Sequence, residues 1–532
     1  MAKLGEHTAA IQRFKWVEDE TQPLTVTSSG QTHQQSAQLF AMSLVLQARS
    51  QRLQSKFDIA EDCLKRASGM LDSLTPLTRH QVRASSHIEL AELQEAKGNL
   101  ANADDLLKTV SDDYQSAAEL VDGPEQARMH SDLAQNHVRR GRVSARSNRA
   151  RAESELRSGI KIWGTLYVEH PDHPHYLDGL AAANIELANL LRLTSPVAVS
   201  AYRDCISAYT TLIAARPEIP LYAFNLSVAE IDLAYVLQTL GQASDAEEVG
   251  SQAVARLVML AREYPEEIQY LSSAAVGDTI VAASLRDRGD FEGAENRLVP
   301  ALKAHQRCVD EVAEVPAYRE RLATTLSGIG QLKIEQGDLE TAREHFERAL
   351  TIFEELMNSD ETVLSYRDAA ASIHLQLADL LWKRGNETVA RPHYEQSIKL
   401  REKMGTATSS YSFQFAWLLT QCEADEFRNL TQAADLLRKI DYIAARPSPA
   451  VLLAYVEAVQ GNLATAQMAL AKTSQSTVDV AEVDWVRALI EKPRDPQASA
   501  DSFAVGDAKW KSTIGSHANL RRLRAQIEAA LK

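Results

Sequence analysis

The sequence predicts an all-α, right-handed α-solenoid, a superhelix of stacked antiparallel helical hairpins, and three observations carry that expectation. The first is an internal period. Gly241, Gly289, Gly337 and Gly385 follow one another at 48-residue intervals. An alanine stands five residues after each (Ala246, Ala294, Ala342 and Ala390), and that ladder reaches back another 48 residues to Ala198. Tyr176, Tyr222, Tyr270, Tyr318 and Tyr366 form a third ladder, spaced 46, 48, 48 and 48. Fixed self-similarity at such a period is the signature of a repeat architecture. The second observation is that only 22 Gly and 16 Pro occur in 532 residues, too few for the many tight turns of an all-β chain. The third is that 45% of residues are apolar but only 6% aromatic. Close packing of small and straight side chains is favoured over a bulky central core.

The unit is clearest at 318–357. Leu322, Leu326, Ile329 and Gly330 recur at steps of four, three and one, which is a helical stripe. Gly337 falls where a helix needs a left-handed residue to stop, a conformation glycine adopts without steric cost. Asp338 follows as an N-cap for the next helix. That helix repeats the stripe at Leu339, Ala342, Phe346, Ala349, Leu350 and Phe353. The first helices carry Ala188, Ala234, Ala282, Gly330 or Ala378 at one matched position. Two helices approach to about 8–9 Å only when such contact residues are small.

These residues resemble the tetratricopeptide repeat. Ile329-Gly330 is similar to its Leu-Gly pair, and Ala342-x3-Phe346, Ala390-x3-Tyr394 and Ala198-x3-Tyr202 are similar to its A-x3-F element. The family's tryptophan position holds Leu326, and the period is 48 instead of about 34. Because the Gly-to-Ala turn keeps its length, the extra residues lengthen the helices to roughly 19 residues, about 28 Å each. Long-period arrays following the kinase domain of some bacterial serine/threonine kinases are similar in this respect.

In chain order, residues 1–35 are read as an N-terminal segment and polar linker, the stretch 20–35 having no period. Residues 36–173 hold earlier hairpins at shorter spacing, with turns at Phe57–Ala67 and Gly98–Leu107. The regular repeats occupy 174–404; RLTSP at 192–196 replaces one glycine loop and accounts for the 46-residue step. Shorter late repeats fill 405–492, with a turn at Gly461–Leu470. Residues 493–532 are read as a loop to 516 and then a capping helix carrying Leu520, Leu523, Ile527 and Leu531, since a solenoid's last apolar face needs cover. About ten hairpins result.

The net charge of −15 disfavours phosphate backbones and anionic lipid, so general nucleic-acid or membrane binding is not expected. Cys63, Cys205, Cys308 and Cys422 lie more than a hundred residues apart, with no CxxC pair, as in a reducing cytosol. The start lacks a signal-peptide h-region and no apolar run reaches the roughly 20 residues of a membrane span, so a cytoplasmic protein is expected.

Motifs of catalysis are missing: no Gly-Lys pair for a P-loop, no GxGxxG, HExxH or GxSxG, and neither HRD nor DFG. Three local features remain. EHPDHPHY (169–176) gathers Glu169, His170, Asp172, His173 and His175, types that ligate zinc. It fills the same inter-repeat loop as ARPEIPLY (215–222) and REYPEEIQY (262–270), however, so no metal is expected. His305 and Cys308 lie three apart on a predicted helix, where imidazole can promote a thiolate; no third group accompanies them, and no catalytic residue is assigned. Arg139, Arg142, Arg146 and Arg149 are spaced three, four and three apart, which predicts one basic helical face. They are the candidate partner site, for an acidic peptide, phosphoprotein or nucleic acid; the alternative is pairing with acids of adjacent repeats. No Lys-x3-Asn occurs, so the carboxylate clamp of chaperone-binding tetratricopeptide domains is not expected.

The sequence therefore points to a non-catalytic scaffold without cofactor, binding a protein or peptide on the concave face lined by the first helices. The alternative is a regulatory or sensor repeat region of a larger signalling protein such as a bacterial serine/threonine kinase.

Overall fold

The computed structural model describes residues 31–146, 148–192, 197–404, 408–440, 448–473, 481–512 and 518–532. Of the sequence-based assignments, the segment 1–30 and the RLTSP turn beyond Arg192 lie outside the described residues. Twenty-three α-helices and two short 3₁₀ turns make up the secondary structure, with no strand among the described residues.

The chain divides into two compact units, one of residues 1–190 with 207–215 and the other of 191–206 with 216–532. The first contains α1 (Gln31–Leu53), α2 (Phe57–Ser68), α3 (Pro76–Ala96), α4 (Leu100–Ala118), α5 (Gly123–Ala145) and α6 (Arg149–Glu169). Helices α7 (Pro174–Leu191) and α8 (Val197–Ala215) carry the division. The second unit continues with α9 (Pro220–Thr239), α10 (Ala243–Glu263), α11 (Ile268–Asp287), α12 (Phe291–Glu311), α13 (Pro316–Glu335), α14 (Leu339–Ser359), α15 (Leu364–Lys383) and α16 (Glu387–Met404). It ends with α17 (Ser409–Gln421), α18 (Leu430–Leu437), α19 (Pro449–Val459), α20 (Leu463–Thr473), α21 (Ala481–Glu491), α22 (Pro496–Ser512) and α23 (Ala518–Leu531). Within each unit consecutive helices pack on one another, as α5 does on α6 and α15 on α16, and first helices of successive hairpins also touch, as α9 does α11. This is the expected α-solenoid of antiparallel hairpins.

The turn chemistry follows from the glycine ladder. Gly241, Gly289, Gly337 and Gly385 all have φ between +75° and +84°. At Gly337 the amide donates to Ile334 O (3.0 Å) and the next amide, of Asp338, donates to Lys333 O (2.9 Å), satisfying carbonyls that the helix end leaves open. The Asp338 carboxylate then accepts from the Thr341 amide at 3.2 Å and starts α14. Helices in the regular region run 18 to 21 residues, close to the length the period implied.

The small-residue positions are where the helices nest. Ala198, Ala246, Ala294, Ala342 and Ala390 are fully buried, as are Ala188, Ala234, Ala282 and Ala378 to within 1%. A Cβ at Gly330 would lie 2.7 Å from the Phe346 ring, so the glycine there is a consequence of the phenyl ring opposite.

Two sequence-based boundaries move. Residues 31–35, inside the stretch read as linker, are already helical: their polar Gln, Thr and His residues have no apolar period but belong to a helix whose later turns do. Residues 496–512 are helical, where the mixture of Pro, Gly, Ser and Asp suggested a loop. Asp495 explains this, accepting from the amides of Gln497 (3.1 Å) and Ala498 (3.0 Å), with Pro496 as the first helical residue. Gly506 is there because Trp485 lies against it, 2.5 Å from where a Cβ would stand. The hairpins consequently number eleven among the described residues, followed by α23 as the cap with Leu520, Leu523 and Ile527 buried.

Candidate binding groove

The first helices of four consecutive hairpins, α9, α11, α13 and α15, line a groove of about 750 Å³ in the second unit. Its walls include Tyr235 of α9, Thr279 of α11, Arg321 and Ser327 of α13, and Ser372 and Gln376 of α15. The repeat accounts for the placement. Each first helix turns its matched small residue toward its own second helix, which leaves another face of the same helix toward the groove. Short residues such as Ala283, Gly328 and Ala369 keep that face low. A second hollow of about 860 Å³ shares Arg286, Gln331, Ser372 and Gln376 with the first and extends it toward α23. Arg521 and Arg522 of α23 bound its far end.

Most charges along this surface are paired within the chain. Arg192 contacts Asp232 at 3.1 Å and lies over the Tyr235 ring at 5.1 Å. Burial pushes the Asp232 carboxyl up in pKa, with Arg192 opposing the shift. Arg286 meets Asp287 at 3.3 Å and bonds the Gln331 amide oxygen. Arg401, with 1% of its side chain exposed, is held by Asp368 and Ser372, both at 2.8 Å. Arg522 reaches Asp379 at 2.8 Å and Glu423 at 3.1 Å, and Arg521 pairs with Glu335. Arg321 differs: its Nη1 donates to the Ser272 hydroxyl at 2.7 Å, a neutral partner.

The sequence-based site residues are placed elsewhere, in the first unit. Arg139 and Arg142 lie on α5, and Arg146 caps its C-terminus. Arg149 begins α6, so the four do not share one helical face. The break is made by Asn148, whose side chain accepts from the Arg151 amide at 3.0 Å and starts a new helix; that N-cap was readable in the sequence. Arg142 pairs with Glu186 at 2.6 Å, Arg146 lies 3.9 Å from Glu95, and Arg149 donates to Leu190 O at 2.6 Å. Arg139 lies near Asp132 and Tyr114. The neighbours Arg140 and Arg151, not singled out in the sequence, both bind Asp104, at 3.5 and 2.6 Å.

His305 and Cys308 do not form a reactive pair. The imidazole contacts the Thr325 hydroxyl through Nδ1 (2.9 Å) and Ser272 O through Nε2 (3.3 Å), and burial pushes its pKa down to about 4. Burial likewise pushes the Cys308 thiol up, away from thiolate. In EHPDHPHY the rings of His170 and His173 stand 5.8 and 5.6 Å from Tyr176, and His175 meets Trp163 edge-on at 5.5 Å. Among the described residues no group of three or more His, Cys, Asp or Glu is placed to hold a metal ion. No described helix is long and apolar enough to cross a membrane.

The family model described as "Tetratricopeptide repeat" matches residues 279–355 and 321–403, which together run from within α11 to the end of α16. Residues 279–403 are tetratricopeptide repeats. No curated protein matches it. Among solved structures this repeat protein is similar to the human IFIT1 dimer with PPP-AAAA, at 13% identity and a TM-score of 0.41, covering 93% of this chain and 94% of that one. It is also similar to apo RapI, at 13% identity and TM-score 0.44, covering 81% and 98%. A third is the apo form of the quorum sensor NprR from B. thuringiensis, at 10% identity and TM-score 0.46, covering 75% and 97%. Likenesses at this level say nothing about a ligand.

The groove residues escaped the sequence reading because they do not repeat. Arg321 stands where the adjoining repeats carry Ser273 and Ala369. A polar departure from an otherwise regular rung was the available signal.

Proposed function

We propose that the protein is a non-catalytic scaffold that holds a polypeptide segment of a partner in the groove lined by α9, α11, α13 and α15. The observation that carries this reading is the groove itself: about 750 Å³, in the range of ligand clefts, walled by side chains from four successive hairpins. Hydroxyl and amide side chains such as Thr279, Ser327, Ser372 and Gln376 offer both donors and acceptors to a peptide backbone. Many modest contacts of this kind suit recognition of an extended or helical segment. The net charge of −15 favours a protein partner over a nucleic acid.

A photo-crosslinking amino acid placed at Ser327, on the groove wall, tests this against one at Glu344, exposed on the second helix α14. The expected result is a discrete protein adduct from Ser327 and none from Glu344. Equal adducts from both positions, or an RNA adduct at Ser327, would remove the reading.

A further inference from the structure

Resting on that groove reading, we propose that Arg321 is the residue that selects the partner, by receiving an acidic side chain of the bound segment. The argument begins with charge pairing along the groove wall. Arg192 has Asp232 and Arg286 has Asp287, so each brings its counter-ion from within the chain. Among the described residues Arg321, on α13, has no carboxylate in ion-pair contact; its hydrogen-bonded partner is the Ser272 hydroxyl at 2.7 Å, and its guanidinium lies 6.0 Å from the Tyr318 ring. A guanidinium has five N–H donors in a planar fork, so most of its donor capacity is unspent. An arginine only partly exposed to solvent and left without a counter-ion is costly unless something supplies one.

The neighbouring carboxylate does not fill that role. Glu320 precedes Arg321 on the same helix and also lines the groove; burial pushes its carboxyl up, with the Arg321 charge opposing the shift. No ion pair joins them among the described residues, and the Glu320 charge is shared with Tyr366 of the next repeat, whose phenol it helps to push up. Behind Arg321 lie His305 and Cys308, both neutral in this setting, and both feel the guanidinium charge. The remaining approach is from the groove, where a planar fork suits a carboxylate by two parallel bonds. The repeat register supports a specific role: the same rung holds Ser273 and Ala369 on either side, so the lattice of helices does not require arginine there.

The test uses the full chain and a random linear peptide library displayed on phage. Peptides enriched on the wild-type protein are expected to share an acidic residue, and their affinity is measured by fluorescence anisotropy. Arg321→Gln, which keeps a donor for Ser272 but removes the charge, is expected to weaken binding by at least about tenfold, the scale of one charge-assisted bond. Replacing the peptide's acidic side chain with its amide should weaken binding to wild type equally and have little further effect on the variant. Amidating the peptide C-terminus separates a terminal carboxylate from a side chain, and is expected to change nothing. Library selection on Arg321→Glu should turn toward basic residues. Enriched peptides that bind Arg321→Gln as tightly as wild type would overturn the role of Arg321 while leaving the groove reading in place. Enrichment of nothing by the wild-type chain, or of peptides equally well retained by a Ser327→Trp variant, would take down the groove reading itself.

Discussion

Replacing Gly330 with alanine tests the nesting of helices directly, because the sign of its effect is expected to depend on one other residue. A Cβ there would stand 2.7 Å from the ring of Phe346, which is itself fully buried. Overpacking of this kind costs about 1–3 kcal/mol. Exchanging glycine for alanine within a helix returns about 1 kcal/mol of backbone entropy. In the wild-type background the net expectation is a loss of about 1 kcal/mol. In a Phe346→Leu background the clash disappears, since Ala282 and Leu298 occupy the matched positions one repeat earlier. There Gly330→Ala should stabilise by about 1 kcal/mol, giving a coupling of about 2 kcal/mol between the two sites. Native-state hydrogen exchange of the α13 and α14 amides reads the local opening energy without requiring the whole array to unfold in one step. If Gly330→Ala shifts protection by the same amount in both backgrounds, the ring contact does not explain the glycine.

Four further outcomes are expected. Gly337→Ala meets no atom within 4 Å but must hold φ near +81°, so a loss of about 1 kcal/mol in local exchange stability should arise from backbone strain alone; an unchanged value would contradict the turn assignment. His305 takes up a proton in the unfolded chain near pH 6.5 but resists it in the folded one to about 4. The unfolded state thus binds more protons in that window, and stability, complete above 6.5, should fall by about 3 kcal/mol as pH drops to 4. Thermal melts of wild type and His305→Gln across that range should converge at low pH if this holds. Cys308 and Cys422 are buried with thiols pushed up, the latter to about 12, so alkylation of native protein at neutral pH should be far slower than after denaturation. Arg522→Ala leaves Asp379 without its cation and should destabilise the second unit by about 3 kcal/mol, whereas Arg343→Ala on an exposed pair should be nearly silent.

Much of the architecture was legible because a repeat multiplies each weak signal. One glycine followed by aspartate says little, but Gly241, Gly289, Gly337 and Gly385 at one interval fix the turn, and the alanine ladder fixes which faces meet. The ends were less legible because they do not repeat. Residues 496–512 read as a loop until Trp485 shows why Gly506 is tolerated within a helix. The arginine island misled for a different reason: its spacing is helical, but Asn148 interrupts the helix before the last arginine, and a capping residue outweighs periodicity in the residues around it. The groove could not be read from periodicity at all. Its distinguishing residues are those that break the pattern, and whether Arg321 meets a carboxylate depends on helices brought together only by folding.

The ion pair between Arg522 and Asp379 joins residues 143 positions apart, in an array whose other contacts are nearly all between neighbours. Hairpins α9 to α16 can assemble one upon another as they leave the ribosome, since each needs only the one before it. The end of the groove at Asp379 and Glu423 is different, for its wall arrives with α23. Until residues 518–531 have been synthesised and seated on the apolar surface around Trp485, that cavity stays open on one side. Birth order along the polypeptide therefore sets when that hollow acquires its last wall.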